Sequence, residues 1–299
     1  MLEAKYANVA GLKTRYLESG SAGEPMLLMH GGHFGLVASA NVWAPVVDKF
    51  AKNFHVYAID RPGQGFTDNP KKDSDYVIGI TVKHAYEFLK VMGIQKAHVV
   101  GHSRGGYSAC RLALEHPEVV KTLTLVDSGT LIGKESSGGT RGRSKWYEEM
   151  FKEADKIKDP RERYRFLAAH NSYGNSHITD EYVDIMLQIE ALPKTKEASD
   201  KMEGLHNQFH EDLAARKEET HKWIVSGKLK APTLIVWAFN DPSAKLEPGG
   251  LDTMRLIFPN VPKAQMHIIN QAGHRCFAEQ PDAFVAAVTS FIKQADGKA

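Results

Sequence analysis

Short apolar runs rich in β-branched residues recur along the chain, and stretches with helical spacing lie between them. Runs of this length and composition are typical of strands buried inside a parallel sheet. The candidate strands are Met26–Met29, His55–Ile59, His98–Val100, Leu123–Val126, Thr233–Trp237 and Met266–Ile269. Their alternation with helices predicts an α/β fold with a mostly parallel, doubly wound sheet.

The segments between these runs repeat apolar residues at helical spacing. We predict helices over Thr81–Met92, Gly105–Glu115 and Ala283–Lys293. Two strand-like stretches, residues 3–9 and 12–18, lie on either side of a short turn near the start of the chain. This pattern predicts an antiparallel hairpin at the edge of the sheet.

The pattern changes from about residue 131 to residue 230, where a Gly/Ser-rich stretch at 133–139 leads into charged amphipathic helices. Strand character then returns at Thr233. We interpret 131–230 as an inserted helical cap that divides a core formed by 1–130 and 231–299. Because the insertion follows the carboxyl end of a core strand, it should cover the face where open α/β sheets bind ligands.

The segment Gly101–Gly105 reads Gly-His-Ser-Arg-Gly and joins a predicted strand directly to a predicted helix. An isolated Gly-x-Ser-x-Gly is a common turn, but the strand before it and the helix after it make the motif specific. In that context the serine stands on a sharp turn, and small neighbours let strand and helix approach closely. Ser103 is therefore the candidate nucleophile.

A serine hydroxyl needs a base to accept its proton and a carboxylate to orient that base. In enzymes with such an elbow the three groups follow the chain order Ser, acid, His. Asp241 follows the penultimate candidate strand and His274 follows the last, so they are the candidate acid and base. Asp127, after the strand that ends at Val126, is the alternative acid; otherwise it is a loop residue that hydrogen-bonds nearby amides.

A glycine-rich loop, His30–Gly35, follows the first candidate parallel strand and offers backbone donors for a tetrahedral oxyanion. The amides of Gly32 and Arg104 are the candidates, since Gly32 has no side chain and Arg104 follows the nucleophile at a helix N-terminus. His30 is interpreted as a brace for this loop. For His33, pocket-facing and solvent-facing positions both stay open.

The formal net charge is only +2 and both signs are scattered, which argues against a nucleic-acid partner. No run approaches the roughly 18 apolar residues of a membrane span. The first residues lack a signal-peptide pattern, so we expect a cytoplasmic protein. Cys110 and Cys276 make neither a disulfide framework nor a zinc site, and we expect both to be free, with Cys276 close to the site. We expect a small-molecule substrate and no metal or cofactor; a homo-oligomer stays open.

From residue 9 to residue 294 the chain resembles the α/β-hydrolase superfamily, and within it the meta-cleavage-product hydrolases that split carbon–carbon bonds in aromatic degradation. The segments that carry the resemblance are Asn41–Trp43, Ala58–Gly65, Phe66–Asp68 and His177–Glu181. The resemblance implies a pocket role for Asn41. The positions that match this subfamily's substrate pocket, and that we take as candidate substrate-binding residues, are His33, Phe34, Asn41, His102, Met186 and Arg275.

The chain departs from the subfamily at most of these positions. His102 stands in place of an Asn, His33 and Phe34 replace a Gly-Pro pair, Met186 replaces the cap Arg that grips the substrate's carboxylate, and Arg275 replaces a Trp. A neutral methionine cannot pair with a carboxylate, whereas Arg275 could do so from the opposite wall of the pocket. The alternative for Arg275 is a side chain turned outward to solvent or to a surface acid.

Two functions follow from the motifs and the resemblance. The first is a hydrolase for vinylogous diketones and related carbon–carbon substrates, and the second is a carboxylesterase for small aromatic or alkyl monoesters. Lactone, amide and perhydrolase activities are minor alternatives. Haloalkane dehalogenases and epoxide hydrolases of this fold carry an Asp where Ser103 stands, so the serine argues against both activities. A non-catalytic small-molecule receptor is disfavoured because all three candidate catalytic residues are present.

Overall fold

The computed structural model describes residues 3–132 and 145–297. Eight strands form one sheet in the order β1-β2-β4-β3-β5-β6-β7-β8. The strands are Ala4–Val9 (β1), Leu12–Ser19 (β2), Glu24–Met29 (β3), Phe54–Ile59 (β4), Ala97–His102 (β5), Val120–Val126 (β6), Thr233–Ala238 (β7) and Ala264–Ile269 (β8). β2 runs antiparallel to β1 and β4, and all other neighbours are parallel. The predicted mostly parallel sheet is confirmed, with the hairpin at its edge.

Helices cover both faces of the sheet. They are Ala44–Phe50 (α1), Ile78–Val91 (α2), Arg104–Glu115 (α3), Lys145–Ala154 (α4), Pro160–His170 (α5), Asp180–Glu190 (α6), Pro193–Gly204 (α7), His206–Val225 (α8), Leu251–Ile257 (α9), Cys276–Glu279 (α10) and Pro281–Ala295 (α11). Successive strand residues point to opposite faces. Leu27 accordingly packs in the cluster that includes α2 and α3, and Leu28 packs in the cluster that includes α1 and α11.

Five helices, α4 to α8, lie in the chain between β6 and β7. Buried residues of α5 and α6 form a separate hydrophobic cluster that includes Tyr164, Val183 and Ile189. This is where the sequence predicts the inserted cap. The cap boundaries stay a prediction, and the Gly/Ser-rich stretch at 133–139 lies outside the described residues. None of the helices described is long and apolar enough to cross a membrane.

Candidate active site

The candidate nucleophile stands on a strained turn between β5 and α3. Ser103 has φ 54° and ψ −125°, a conformation that is costly for a residue with a side chain. The turn is so tight that a Cβ at Gly101 would lie 2.4 Å from the carbonyl oxygen of Gly105, and one at Gly105 would lie 2.3 Å from that of Met29. Glycine is therefore required on both sides of the serine.

The candidate base and acid meet above the carboxyl ends of β7 and β8. His274 Nδ1 lies 2.6 Å from Asp241 Oδ2, and both side chains are buried. Ser103 and His274 line the same cavity. No hydrogen bond joins the Ser103 hydroxyl to His274 within the described residues. Hydrogen bonds between a nucleophile and its base often form fully only in the substrate complex, so this arrangement is compatible with proton transfer from Ser103 to His274.

The second oxygen of Asp241 is held by its own loop. Oδ1 accepts hydrogen bonds from the Ser243 amide at 2.8 Å, the Ser243 hydroxyl at 2.9 Å and the Ala244 amide at 2.8 Å. Burial alone would raise the pKa of Asp241, but the charge of His274 and these hydrogen bonds hold that pKa below its ordinary value of 3.8. Asp241 is therefore ionised and oriented to accept the Nδ1 proton of the imidazole.

The rival acid has a different environment. Asp127 is fully buried, and its Oδ1 accepts a hydrogen bond from the Ala238 amide at 2.7 Å. Burial, and then the charge of Asp241, raise the pKa of Asp127 well above its ordinary value. The His274 imidazole donates its hydrogen bond to Asp241 instead. This geometry supports the loop role for Asp127.

His102 braces the loop that carries the base. Burial, and then the charge of His274, lower the pKa of His102 well below 6.5, so its ring is neutral. His102 Nε2 lies 2.6 Å from the His274 carbonyl oxygen and therefore donates its proton to it. His102 also lines the cavity, where substrate could touch the ring. The hydrogen bond from His102 to the His274 carbonyl oxygen fixes the backbone of the candidate base.

The loop expected to form the oxyanion hole is held from behind. Arg61 Nη1 donates to the carbonyl oxygens of His30 at 3.3 Å and Gly32 at 3.1 Å, and Gln64 Nε2 donates to that of Gly31 at 3.2 Å. Across a planar trans peptide, the carbonyl and the following N–H point in opposite directions. The Gly32 N–H therefore points away from Gln64.

The front of this loop faces the nucleophile. A Cβ at Gly31 would lie 2.8 Å from the Ser103 Cβ, so the loop and the elbow are in close contact. Gly32 makes no hydrogen bond through its N–H within residues 3–132 and 145–297. Arg104 is the first residue of α3 and directly follows Ser103. The two predicted donors thus lie on the two segments that meet at Ser103.

A cavity of about 1200 Å³ opens beside these residues. His33 is half-buried and lines it, which favours the pocket-facing alternative. Met186, on α6, is buried and also lines it. Apolar and aromatic side chains supply much of the remaining wall: Val37, Val42, Trp146, Tyr147, Met150, Phe151 and Leu167.

The structure corrects two of the predicted contacts, those of Phe34 and Asn41. Phe34 packs in the core against Tyr76, with ring centroids 5.0 Å apart, and is absent from the cavity wall that the described residues form. Asn41 is held in a short helical turn by Ser39, and its neighbour in the chain lines the cavity instead. Cys276 is fully buried behind the site, beside Asp127. Sequence spacing did not show which face of each turn these side chains occupy.

Arg275 turns inward, not outward. It is 8% exposed and lines the cavity next to His274. Its guanidinium carbon lies 4.8 Å from the centre of the Tyr182 ring, and Nη2 lies 3.5 Å from the Ala168 carbonyl oxygen. In the part of the chain that the structure describes, no Asp or Glu forms an ion pair with it. A buried cation without a carboxylate partner is suited to bind an anion.

The family model for the alpha/beta hydrolase fold matches residues 24–281. The chain belongs to this family. It is 27% identical over 297 residues to 2-hydroxymuconate semialdehyde hydrolase from Pseudomonas sp. (strain CF600), covering 97% of this chain and 94% of that one. It is 28% identical over 315 residues to 2-hydroxy-6-oxononadienedioate/2-hydroxy-6-oxononatrienedioate hydrolase from Burkholderia vietnamiensis (strain G4 / LMG 22486), covering 97% and 96%. The predicted resemblance is confirmed.

A solved meta-cleavage product hydrolase (CumD) superposes on this α/β-hydrolase with a TM-score of 0.73, 26% identity and coverage of 97% and 98%. Sequence reasoning missed four residues that surround the site of this α/β-hydrolase. Arg61 and Gln64 support the oxyanion loop, while Asn171 and Glu279 contact the loop of His274. Arg61 and Gln64 lie in the segment Ala58–Gly65, but their contacts with the loop at 30–32 depend on packing between separate parts of the chain, as does the contact of Asn171 with His274. Glu279 follows Gly273 by six residues, and no motif singles it out.

Proposed function

We propose that this chain is a serine hydrolase that cleaves a carbon–carbon bond next to a carbonyl in an anionic, meta-cleavage-type substrate. The observation that carries the proposal is Arg275, a buried cation in the cavity wall beside His274, without an acidic partner among the described residues. The relatives named above act on such compounds, and the name of one describes a dicarboxylate.

The chemistry starts with Ser103. Its hydroxyl attacks the carbonyl carbon while His274 Nε2 accepts the proton and Asp241 stabilises the imidazolium. The oxyanion is bound by the amides of Gly32 and Arg104. The tetrahedral intermediate collapses to an acyl-serine, and the leaving carbanion, delocalised over the rest of the substrate, takes the proton. Water, activated by His274, then hydrolyses the acyl-serine and frees Ser103.

Arg275 supplies the recognition that Met186 cannot. A methionine on α6 offers an apolar contact, whereas a guanidinium can hold a carboxylate through two parallel hydrogen bonds. The Tyr182 ring stacks on the guanidinium and limits its orientations. The substrate's carboxylate therefore binds near the base, and its apolar part contacts the aromatic wall.

A carboxylesterase is the second candidate. The same acyl-serine steps apply with an alcohol as leaving group. The observation that favours it is the largely apolar wall around a cavity of about 1200 Å³, in which Met186 is neutral. We further propose a cytoplasmic location, which is supported by the two buried free thiols, Cys110 and Cys276.

The test is Arg275→Met, assayed with an anionic ring-fission dienoate, a phthalate-type monoester and neutral nitrophenyl esters of similar shape. A charge-assisted contact is worth about 1.5 to 3 kcal/mol, so kcat/KM should fall by roughly ten- to a hundredfold for the anionic substrates alone. Equal losses for anionic and neutral substrates would contradict carboxylate recognition and favour a neutral ester. Lys245→Met, which removes a different cation from the cavity wall, is the control for a general change of charge.

A further inference from the structure

One carboxylate joins the loop of the base to the helical segment between β6 and β7. Glu279 Oε1 accepts a hydrogen bond from the Gly273 amide at 2.8 Å. Its Oε2 accepts bonds from the amides of Tyr173 and Gly174, each at 2.8 Å. Gly273 directly precedes His274, and Tyr173 and Gly174 lie between α5 and α6. Three backbone donors therefore converge on the two oxygens of Glu279.

Two further contacts connect the same segments. The His274 amide donates to the Asn171 carbonyl oxygen at 3.0 Å. The chains approach so closely that a Cβ at Gly273 would lie 2.7 Å from Ser172 Cα. On the other side, His102 donates to the His274 carbonyl oxygen. The backbone around His274 is thus held from two sides. His102, at the end of β5, holds it on the side of the sheet, and residues 171–174 hold it through Glu279 and through the Asn171 carbonyl oxygen.

We propose that Glu279 is a positioning residue that couples His274 to the segment after α5, so that the base reaches its working geometry only while that segment is in place. The inference rests on the proposed function, in which His274 is the base. A carboxylate is required because it is an acceptor only, and all three of its partners donate. A glutamine at this position would direct its NH₂ group at a backbone N–H. It would therefore lose the hydrogen bonds either to Gly273 or to Tyr173 and Gly174.

The test is Glu279→Gln, with Asp282→Asn as a matched control. Asp282 is a carboxylate three residues further along the chain, it is 87% exposed, and it binds Lys49, not the base loop. Since a displacement of about 1 Å can cost roughly 10²-fold in rate, kcat of Glu279→Gln on a nitrophenyl ester should fall by about that factor. The KM should stay within about threefold, because no substrate contact is removed. Asp282→Asn should behave as the unmodified enzyme.

Two readouts separate positioning from simple loss of structure. Labelling of Ser103 by a small fluorophosphonate needs the base but little substrate recognition, so its rate should fall by the same factor as kcat. Hydrogen exchange should become faster both in 168–176 and in 270–276, while thermal unfolding is close to that of Asp282→Asn. Activity and labelling within about threefold of the unmodified enzyme would overturn the proposal. So would faster exchange in only one of the two segments.

If Glu279→Gln does not fold, Glu279→Asp replaces it. The aspartate keeps the charge, but it is one methylene shorter and cannot reach both loops at 2.8 Å. The same losses are expected, and full activity in folded Glu279→Asp would overturn the proposal. Absence of Ser103 labelling in the unmodified enzyme would instead refute the proposed function itself, so the two failures are distinguishable.

Discussion

Replacing Asp241 by asparagine should disable the base through its tautomer. Oδ1 of Asp241 faces three donors from Ser243 and Ala244, two of them backbone amides. An asparagine must place its carbonyl oxygen there, since its NH₂ group would meet those N–H groups. The NH₂ group then faces His274 Nδ1, which has to accept the hydrogen bond, and the ring proton moves to Nε2.

An imidazole that carries its proton on Nε2 cannot accept the proton of Ser103. The expected loss in kcat is about 10⁴-fold, which corresponds to roughly 5.5 kcal/mol in activation free energy. The overall geometry should be retained, because the asparagine has the shape of the aspartate and keeps the bonds to its own loop. The loss should therefore appear in kcat and not in thermal stability.

Asp127→Asn is the matched control. Burial and the charge of Asp241 raise the pKa of Asp127 well above its ordinary value, which disfavours the charged form that an amide would lack. An amide has nearly the same shape and still accepts the hydrogen bond from the Ala238 amide. We expect kcat within about threefold of the unmodified enzyme.

Both variants are assayed for kcat with a nitrophenyl ester at pH 8, and their folding is checked by thermal denaturation. A loss smaller than about tenfold for Asp241→Asn would refute the tautomer argument. A larger loss for Asp127→Asn than for Asp241→Asn would move the catalytic acid to Asp127.

Two further predictions follow from the site and the core. Ser103→Ala and His274→Ala should each lower kcat by roughly 10⁴-fold or more, and the double variant should be little worse, because nucleophile and base act as one unit; additive losses in steady-state kinetics would contradict this. Burial, and then the charge of Arg61, lower the pKa values of His30 and His84 from 6.5 to about 3. Between pH 6.5 and about pH 3, the unfolded chain therefore binds protons at these two histidines that the folded chain does not bind. The free energy of unfolding falls as the pH drops through this window. Each histidine should lower the free energy of unfolding by about 2 kcal/mol at pH 5 relative to pH 7. Urea unfolding at the two pH values measures this difference, and equal free energies of unfolding would contradict the lowered pKa values.

The fold and the three candidate catalytic residues could be predicted from the sequence because their signals are local. The turn at Ser103 requires glycine at positions 101 and 105, and it involves only a few neighbouring residues. The carboxyl end of each predicted parallel strand also locates the loop that follows it. The chain order Ser, acid, His then selects Asp241 and His274 from many carboxylates and histidines. The contact between these two side chains at 2.6 Å fits that selection.

The walls of the cavity could not be predicted in the same way. Asn41 matches a pocket position of related enzymes, yet a hydrogen bond with Ser39 holds it in a turn outside the cavity wall. The inward direction of Arg275 depends on Tyr182 and Ala168, about 90 to 110 positions away in the chain. The role of Glu279 depends equally on where Tyr173 and Gly174 lie. Such contacts arise from packing between distant segments, which no local pattern encodes.

In the proposed mechanism, Ser103 is the nucleophile that becomes acylated during turnover. The most direct test is rapid-quench mass spectrometry during turnover of an activated ester, followed by peptide mapping of the segment 97–111. We expect an acyl adduct on Ser103 that forms before steady state, disappears as substrate is exhausted, and is absent in Ser103→Ala. Continued turnover by Ser103→Ala, or an adduct on another residue with Ser103 unmodified, would contradict it.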